Sequence, residues 1–357
     1  MATVREAGFR WPAEWEPHVA TWLSWPHNPD TWPGCLAEAE AAFVAMARAL
    51  HGREALHINV RSEAEGARVR TLLAEAGVTE AVRTWVIPTD DAWVRDHGPV
   101  FMVRPGELAL VDFGFDAWGR KYPPWDRDAA VPRRIAEARG LRRFEAGFVL
   151  EGGSIEGDGE GTVLTTEQCL LHPNRRLPDE APRTREAMEA RLADWLGASC
   201  VLWLGEGIAG DDTDGHVDDV ARFVAPGVVV VAEQPDPADP DHAPLAANLA
   251  RLRGMRDARG RRLEAVPLPM PPPIRVAGVR CPASYANFYL ANGVALVPVF
   301  GVPEDARALG ILRELLPGRE VVGIAARALV VGLGAAHCLT QQEPAPPPPQ
   351  PARASAA

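Results

Sequence analysis

One pattern recurs along this chain and restricts its fold more than any other feature. A polar stretch leads into a short apolar strand, a tight turn and a second apolar strand. Gly98–Val103, the turn Arg104–Glu107 and Leu108–Phe113 form one case, and Ser154–Glu156, the turn Gly157–Gly161 and Thr162–Thr166 another. His216–Val224 with Val228–Ala232, and Asn287–Leu290 with Val294–Val299, continue the series. β-Branched residues flanking Gly- or Pro-bearing turns are the mark of hairpins. Their return roughly every 55–70 residues marks repeated supersecondary units. Leu36–His51, Glu63–Ala76, Pro182–Leu196 and Asp305–Leu316 carry helical spacing in the gaps, with Gly77 placed to end its helix. Hairpins alternating with helices predict an α/β architecture, and a ring of such units would close around a central axis. Pro235–Pro244 and Pro267–Pro273 read as loops, because closely spaced prolines oppose helix and ladder alike.

Composition narrows the function. The 37 Lys and Arg against 48 Asp and Glu give a net charge of −11, the wrong sign for nucleic acid, which needs a basic footprint. A cationic small ligand suits that charge, and solubility alone explains it equally well. No run reaches the roughly 18 apolar residues of a membrane span, and Met1–Pro17 holds no apolar run resembling a signal peptide. Cys35, Cys169, Cys200, Cys281 and Cys338 are scattered, odd in number and never paired as Cys-x-x-Cys. That pattern predicts reduced thiols in a cytoplasm rather than disulfides or a zinc site. The segment 343–357 is nearly all Pro, Ala, Gln and Ser. It is expected to be a disordered tail behind a single catalytic domain over 1–342.

Four polar clusters sit at the hairpin ends: Trp93-Val-Arg-Asp-His-Gly-Pro99, Glu151-Gly-Gly-Ser154, Asp211-Asp-Thr-Asp-Gly-His-Val-Asp218 and His337-Cys-Leu-Thr-Gln-Gln342. Each has a plain reading on its own. Asp96 could pair with Arg95, Glu151 could cap a turn, and the acidic run could be a solvated loop. Cys338 could be a small core residue. Calcium does not suit the acidic run, because setting Gly215 at the sixth position of an EF-hand puts Gly210 first and Ala221 at the position of the bidentate Glu. Together the clusters imply one chemistry. A nucleophilic Cys needs a partner for its proton, usually His, and His216 lies among acids that would raise its basicity. So many carboxylates would repel a thiolate unless a cation stood between them. A planar guanidinium supplies that charge and accepts bidentate carboxylate contacts.

These residues resemble the agmatine deiminase family, within the guanidine-modifying superfamily of five-bladed α/β propeller (pentein) folds. The resemblance runs from Trp11-Pro-Ala-Glu-Trp-Glu-Pro-His18 to Gln342. It takes in Phe115-Asp-Ala-Trp-Gly-Arg-Lys-Tyr-Pro-Pro124, Asp158-Gly-Glu-Gly-Thr-Val-Leu-Thr-Thr166 and Ser284-Tyr-Ala-Asn-Phe-Tyr-Leu-Ala-Asn-Gly293. It implies that Asp96 and Asp218 clamp the guanidinium, His216 is the acid/base, Glu151 orients His216 and Cys338 attacks the guanidinium carbon. It further implies a hydrolase with no metal or organic cofactor, forming a covalent thiouronium. From agmatine it would release ammonia and N-carbamoylputrescine, a step of polyamine biosynthesis.

Trp93 and Trp118 lie in segments expected to line the substrate channel, and Asp212 is a candidate for a distal amine. The chain departs from the family at Ala335, where Asn is usual before His-Cys, at His97 for threonine and at Glu156 for histidine. The rivals are a deiminase of free or peptidyl arginine, with Arg120 or Lys121 as carboxylate anchor, and an inactive homologue that only binds cations. A homo-oligomer is left open by the sequence. On this reading Cys338→Ala abolishes ureido product. Substitution of Cys35, Cys169, Cys200 or Cys281 leaves product formation largely intact in the same colorimetric assay.

Overall fold

The computed structural model describes residues 3–349. Its strands form five sheets of one internal design and a small hairpin. The first sheet holds β1 (His18–Ser24), β2 (Ala55–Val60) and β3 (Val82–Val86), all parallel. The next three are β4 (Val100–Arg104), β5 (Glu107–Gly114) and β6 (Arg142–Val149); β7 (Ile155–Gly157), β8 (Thr162–Thr166) and β9 (Cys200–Leu204); and β10 (Ala221–Ala225), β11 (Val228–Glu233) and β12 (Glu264–Pro269). The two-stranded hairpin β13 (Arg275–Val276) and β14 (Val279–Arg280) precedes the last sheet, β15 (Tyr289–Ala291), β16 (Val294–Val299) and β17 (Glu320–Ala325). β18 (Gln341–Pro344) returns to pair antiparallel with β1. Each sheet thus contains an antiparallel pair followed by a parallel one.

A parallel step needs a crossover, and a helix supplies it each time. The helices Leu36–Leu50, Val131–Arg139, Arg185–Leu196, His242–Gly254 and Glu304–Leu315 join the second and third strands of the five units. In the first of them Ala39, Ala42, Phe43, Met46, Ala47 and Leu50 are buried, the stripe that 3.6-residue periodicity dictates. The helix expected from Pro182 starts at Arg185, where the Thr184 side chain accepts from the Ala187 amide and sets the N-terminus. Among the described residues no helix is long and apolar enough to cross a membrane.

Three expectations need correction. Pro267 and Pro269 are not in a loop but in β12, opposite Val231 and Glu233. β12 is an edge strand, and prolines two apart both turn their donor-less nitrogens away from the ladder. Pro244 lies in the first turn of the helix His242–Gly254, where no intrahelical donor is required of it. The strand expected from His216 begins only at Ala221, because Val217–Asp219 is a turn of 3-10 helix.

The expected tail also begins too early. Glu343 and Pro344 belong to β18, and the Glu343 carboxylate is buried, accepting from Trp22 Nε1 at 2.8 Å and from Arg139. Residues 350–357 lie outside the described residues. Burial works against the charge of Glu343, but His57, Arg139 and Trp22 outweigh it and hold the pKa at about 2. A carboxyl depressed from about 4.3 to that value contributes about 3 kcal/mol. That contribution is present above the unfolded pKa and lost as pH falls towards 2. Glu343→Ala is therefore expected to cost about 3 kcal/mol in urea unfolding at pH 7, with a gap that narrows by pH 3.

Candidate active site

The residues of interest come from one kind of place. Immediately before the first strand of a unit the chain makes a tight polar turn. Val94–His97 precedes β4, Gly152–Ser154 precedes β7, Val217–Asp219 precedes β10, Ser284–Phe288 precedes β15, and Ala335–Thr340 precedes β18. These turns bring Asp96, Gly153, Asp218, Asn287 and Cys338 into one buried cluster. Above it lies a cavity of about 470 Å³ lined by Cys338, Asp96, Trp93, Trp118 and Asp212, among others.

Cys338 Sγ accepts from Asn287 Nδ2 at 3.0 Å and lies 3.7 Å from Asp218 Oδ2. Asn287 also accepts, through Oδ1, from the amides of His337 at 3.0 Å and Cys338 at 3.4 Å. Asn287 is thus the clamp on the Cys338 loop, held from the β15 side, so that loop is tied down although Ala335 replaces the usual Asn. Asn287 is not legible as a site residue from local pattern, because apolar alternation assigns it to a strand, whereas β15 begins only at Tyr289.

Asp96 Oδ1 accepts from the Gly153 amide at 2.9 Å and lies 3.7 Å from His216 Nδ1. Its Oδ2 accepts from Trp118 Nε1 at 3.0 Å. To aim the indole there, Ala117, Trp118 and Arg120 all take positive φ, at 53°, 55° and 68°. Backbone strain of this kind costs on the order of 1–3 kcal/mol per residue and collects at functional sites. Asp218 Oδ2 bonds to His337 Nδ1 at 2.7 Å. Asp218 Oδ1 and both His216 ring nitrogens are buried without a protein partner. Glu151 does not hydrogen-bond to His216, because its carboxylate takes Arg175 Nε at 2.6 Å. Glu151, Cys169 and His216 nevertheless present ligand-type atoms within 4.8 Å of one another. Such a trio resembles a metal site, yet the Arg175 guanidinium already supplies the positive charge at Glu151. Cys169, expected to be filler, therefore stands beside His216.

Burial pushes the Cys338 thiol well above its ordinary pKa, and Asp218, Asp219 and Asp96 push the same way. Burial likewise lifts Asp96 to about 6, with His216 opposing and Asp218 and Glu151 adding. Burial disfavours charge on His216, but Asp96, Cys169 and Glu151 outweigh it and raise its pKa well above the usual range. The resting site accordingly pairs a thiol with an imidazolium, and it lacks a cation next to the sulfur.

The remaining departures have structural partners. Glu156 accepts from Arg222 Nε at 2.8 Å and from the Phe223 amide. His97 is buried edge-on to Phe115, and burial lowers its pKa to about 3, so it is neutral. Asp212 accepts from the Tyr122 hydroxyl at the cavity wall. The two basic residues near the mouth already have partners, and Lys121 also lines the cavity, bonded to the Asp212 carbonyl. Lys121 Nζ bonds to Asp214 at 2.9 Å and Arg120 Nη2 to the Arg176 carbonyl at 2.9 Å.

Comparison with known proteins agrees over nearly the whole chain. Residues 10–344 match the model of the Porphyromonas-type peptidyl-arginine deiminases. The agmatine deiminase of Ectopseudomonas mendocina is 41% identical, over 96% of this chain and 98% of its own length. The structure of the agmatine deiminase of Enterococcus faecalis superposes with a TM-score of 0.89 at 35% identity, covering 96% of this chain and 98% of that one. An amidinotransferase from Microseira wollei, at 11% identity and a TM-score of 0.51 over 94% of this chain and 96% of its own, shares the fold alone.

Gly153 offers a direct test of the cluster's geometry. A Cβ there would stand 2.6 Å from His216 Nδ1, 2.8 Å from Asp96 Oδ1 and 3.0 Å from Asp218 Oδ2. Gly153→Ala must push these three groups apart and is expected to lower kcat/KM at least about a hundredfold. Thermal unfolding should change little by comparison.

Proposed function

Because the chain belongs to the agmatine deiminase family, we propose that it hydrolyses agmatine to N-carbamoylputrescine and ammonia through a covalent Cys338 intermediate. The observation that carries this reading is the setting of the thiol: Cys338 Sγ is buried 3.7 Å from Asp218 Oδ2, and burial first, then Asp218, Asp219 and Asp96, hold it protonated. A guanidinium has a pKa near 12.5 and arrives charged. Between Asp96 and Asp218 it offsets the charge that keeps the sulfur protonated, so the nucleophile is generated only when substrate is bound. Asp96 and Asp218 clamp the cation, acting as fixed negative charges around a delocalised positive one.

The Cys338 thiol passes its proton to solvent water in the cavity as the sulfur bonds to the guanidinium carbon and one C–N π pair moves onto nitrogen. The tetrahedral adduct collapses when His216 gives a proton to the departing nitrogen, which leaves as ammonia. Neutral His216 then takes a proton from water as the water attacks the thiouronium carbon. The adduct then expels the Cys338 thiolate, its hydroxyl proton returns to the sulfur, and the ureido product leaves with thiol and imidazolium restored. Glu151 acts on His216 through its charge, with Arg175 fixing that carboxylate in place. Trp93 and Trp118 wall the alkyl chain, and Asp212 receives the distal ammonium. No metal or cofactor takes part in this sequence of steps.

The five sheets are read as five blades about one axis passing close to Cys338. The pairing of β18 with β1, which ties the last unit to the first, supports this reading. So does the origin of Asp96, Gly153, Asp218, Asn287 and Cys338 in five equivalent turns.

Arginine differs from agmatine by one carboxylate, which would meet Asp212 and the other acids of the cavity, and Lys121, the basic residue on the same wall, is already bonded to Asp214 and to the Asp212 carbonyl. Burying such an unpaired charge costs several kcal/mol, so kcat/KM for agmatine should exceed that for arginine by at least about a thousandfold. Ureido product from agmatine, arginine and a blocked arginine peptide, assayed side by side, checks this. Equal or better use of arginine would move the assignment to an arginine deiminase.

A further inference from the structure

We propose that His337 is a positioning residue for Asp218, and that Glu14 on the far side of the ring fixes His337 in that role. The proposal rests on the deiminase reading above and extends it to two residues outside the candidate catalytic set. His337 adjoins Cys338 in sequence, which would suit a proton acceptor for the thiol. Its ring is committed otherwise. Nδ1 bonds to Asp218 Oδ2 at 2.7 Å and Nε2 to Glu14 Oε2 at 2.8 Å, in a fully buried position. Two nitrogens facing two carboxylate oxygens leave none for the sulfur. Both bonds coexist with ionised carboxylates only when both ring nitrogens carry hydrogen.

The consequence shows in the three buried aspartates of the site. Asp96 and Asp219 are both raised by burial, Asp219 well above its ordinary value. Asp218 is buried as deeply, yet the bond and charge of His337, with His216 and Arg222, outweigh burial and lower its pKa. Other groups face this pair. Asp96, Asp219 and Cys338 surround Asp218, while Glu14, Glu156, Arg95 and Arg222 surround His337. Glu14 itself is held well below the carboxylate range: burial opposes its charge, but Arg222, His337 and Arg95 prevail. It therefore remains an acceptor for Nε2.

The pH dependence of kcat/KM for agmatine separates positioning from mere packing. In the free wild-type enzyme, the acid limb should follow a single proton, that of Asp96 near 6. His337→Asn keeps a donor where Nδ1 stood, whereas His337→Gln moves the amide towards Glu14 and withdraws it from Asp218. For His337→Gln the acid limb should steepen towards two protons and move up by about one unit or more, a tenfold or greater loss below pH 6. His337→Asn should stay close to wild type. The inference is overturned if the two variants shift alike or neither shifts. If neither folds, Glu14→Gln, which keeps an acceptor oxygen, must move the limb the same way by less, and an unmoved limb overturns the inference. Wild-type enzyme inactive on agmatine and on arginine would instead sink the deiminase reading itself.

Discussion

The Glu14 carboxylate is the contact on which the centre of this protein depends. One oxygen accepts from Arg222 and from the Leu290 amide, the other from His337 and Arg95. Those partners belong to β10, β15, the turn before β18 and the turn before β4, so a residue of the N-terminal segment ties four distant parts of the chain together. Taking several ions out of water is tolerable only when each finds good partners, and removing one partner leaves an uncompensated charge inside. Arg222 repeats the logic by joining Glu14, Glu156 and the Phe288 carbonyl, and Arg175 does so for Glu151, Asp214 and the Thr213 carbonyl. Such a network sacrifices adaptability. Its reward is a set of carboxylates held to fixed positions around one thiol.

Within that frame one imbalance remains, and it lies where the chemistry is. Asp96, Asp218 and Asp219 crowd the sulfur, and the arginines that answer buried acids elsewhere do not reach it. On the proposed reading the substrate is the missing cation. Before it arrives the thiol keeps its proton and is a poor target for oxidants and stray electrophiles, since the thiolate is the reactive form. Once bound, the guanidinium is both the group to be attacked and the charge that makes attack feasible. The strained run at Ala117–Arg120 belongs to the same design, because it delivers the Trp118 indole to Asp96 and turns that carboxylate towards the cluster.

Local pattern made much of this legible. The hairpins and helices follow from β-branched runs, turn residues and 3.6-residue spacing, all properties of neighbours in sequence. The polar clusters stand out because charged and glycine-rich stretches interrupt those runs, and a Cys with a His among acids follows from them, but it is the family resemblance that singles out Asp96, Asp218 and Glu151 within those clusters. Where one local rule competed with another, reading failed. The prolines of β12 signalled a loop, but an edge position relieves them of the ladder. The composition of the last residues signalled a tail, but Glu343 is drawn into β18 by Trp22 and Arg139, which lie far away in sequence.

The sequence by itself thus determined the kinds of element, their order, and the residue types from which guanidine chemistry could be assembled. Tertiary structure alone decided which of those residues meet. Glu14 and Asn287 lie in segments that carry the family resemblance, but no spacing in the chain places them, or Cys169, beside Cys338 or His216. Each becomes a neighbour through contacts spanning tens to hundreds of residues. It also decided the charge states. A pKa depends on burial and on charges a few ångströms away, so Asp96 and Asp218, indistinguishable as letters, shift in opposite directions: burial lifts Asp96, while the His337 bond at 2.7 Å, with His216, outweighs burial and lowers Asp218.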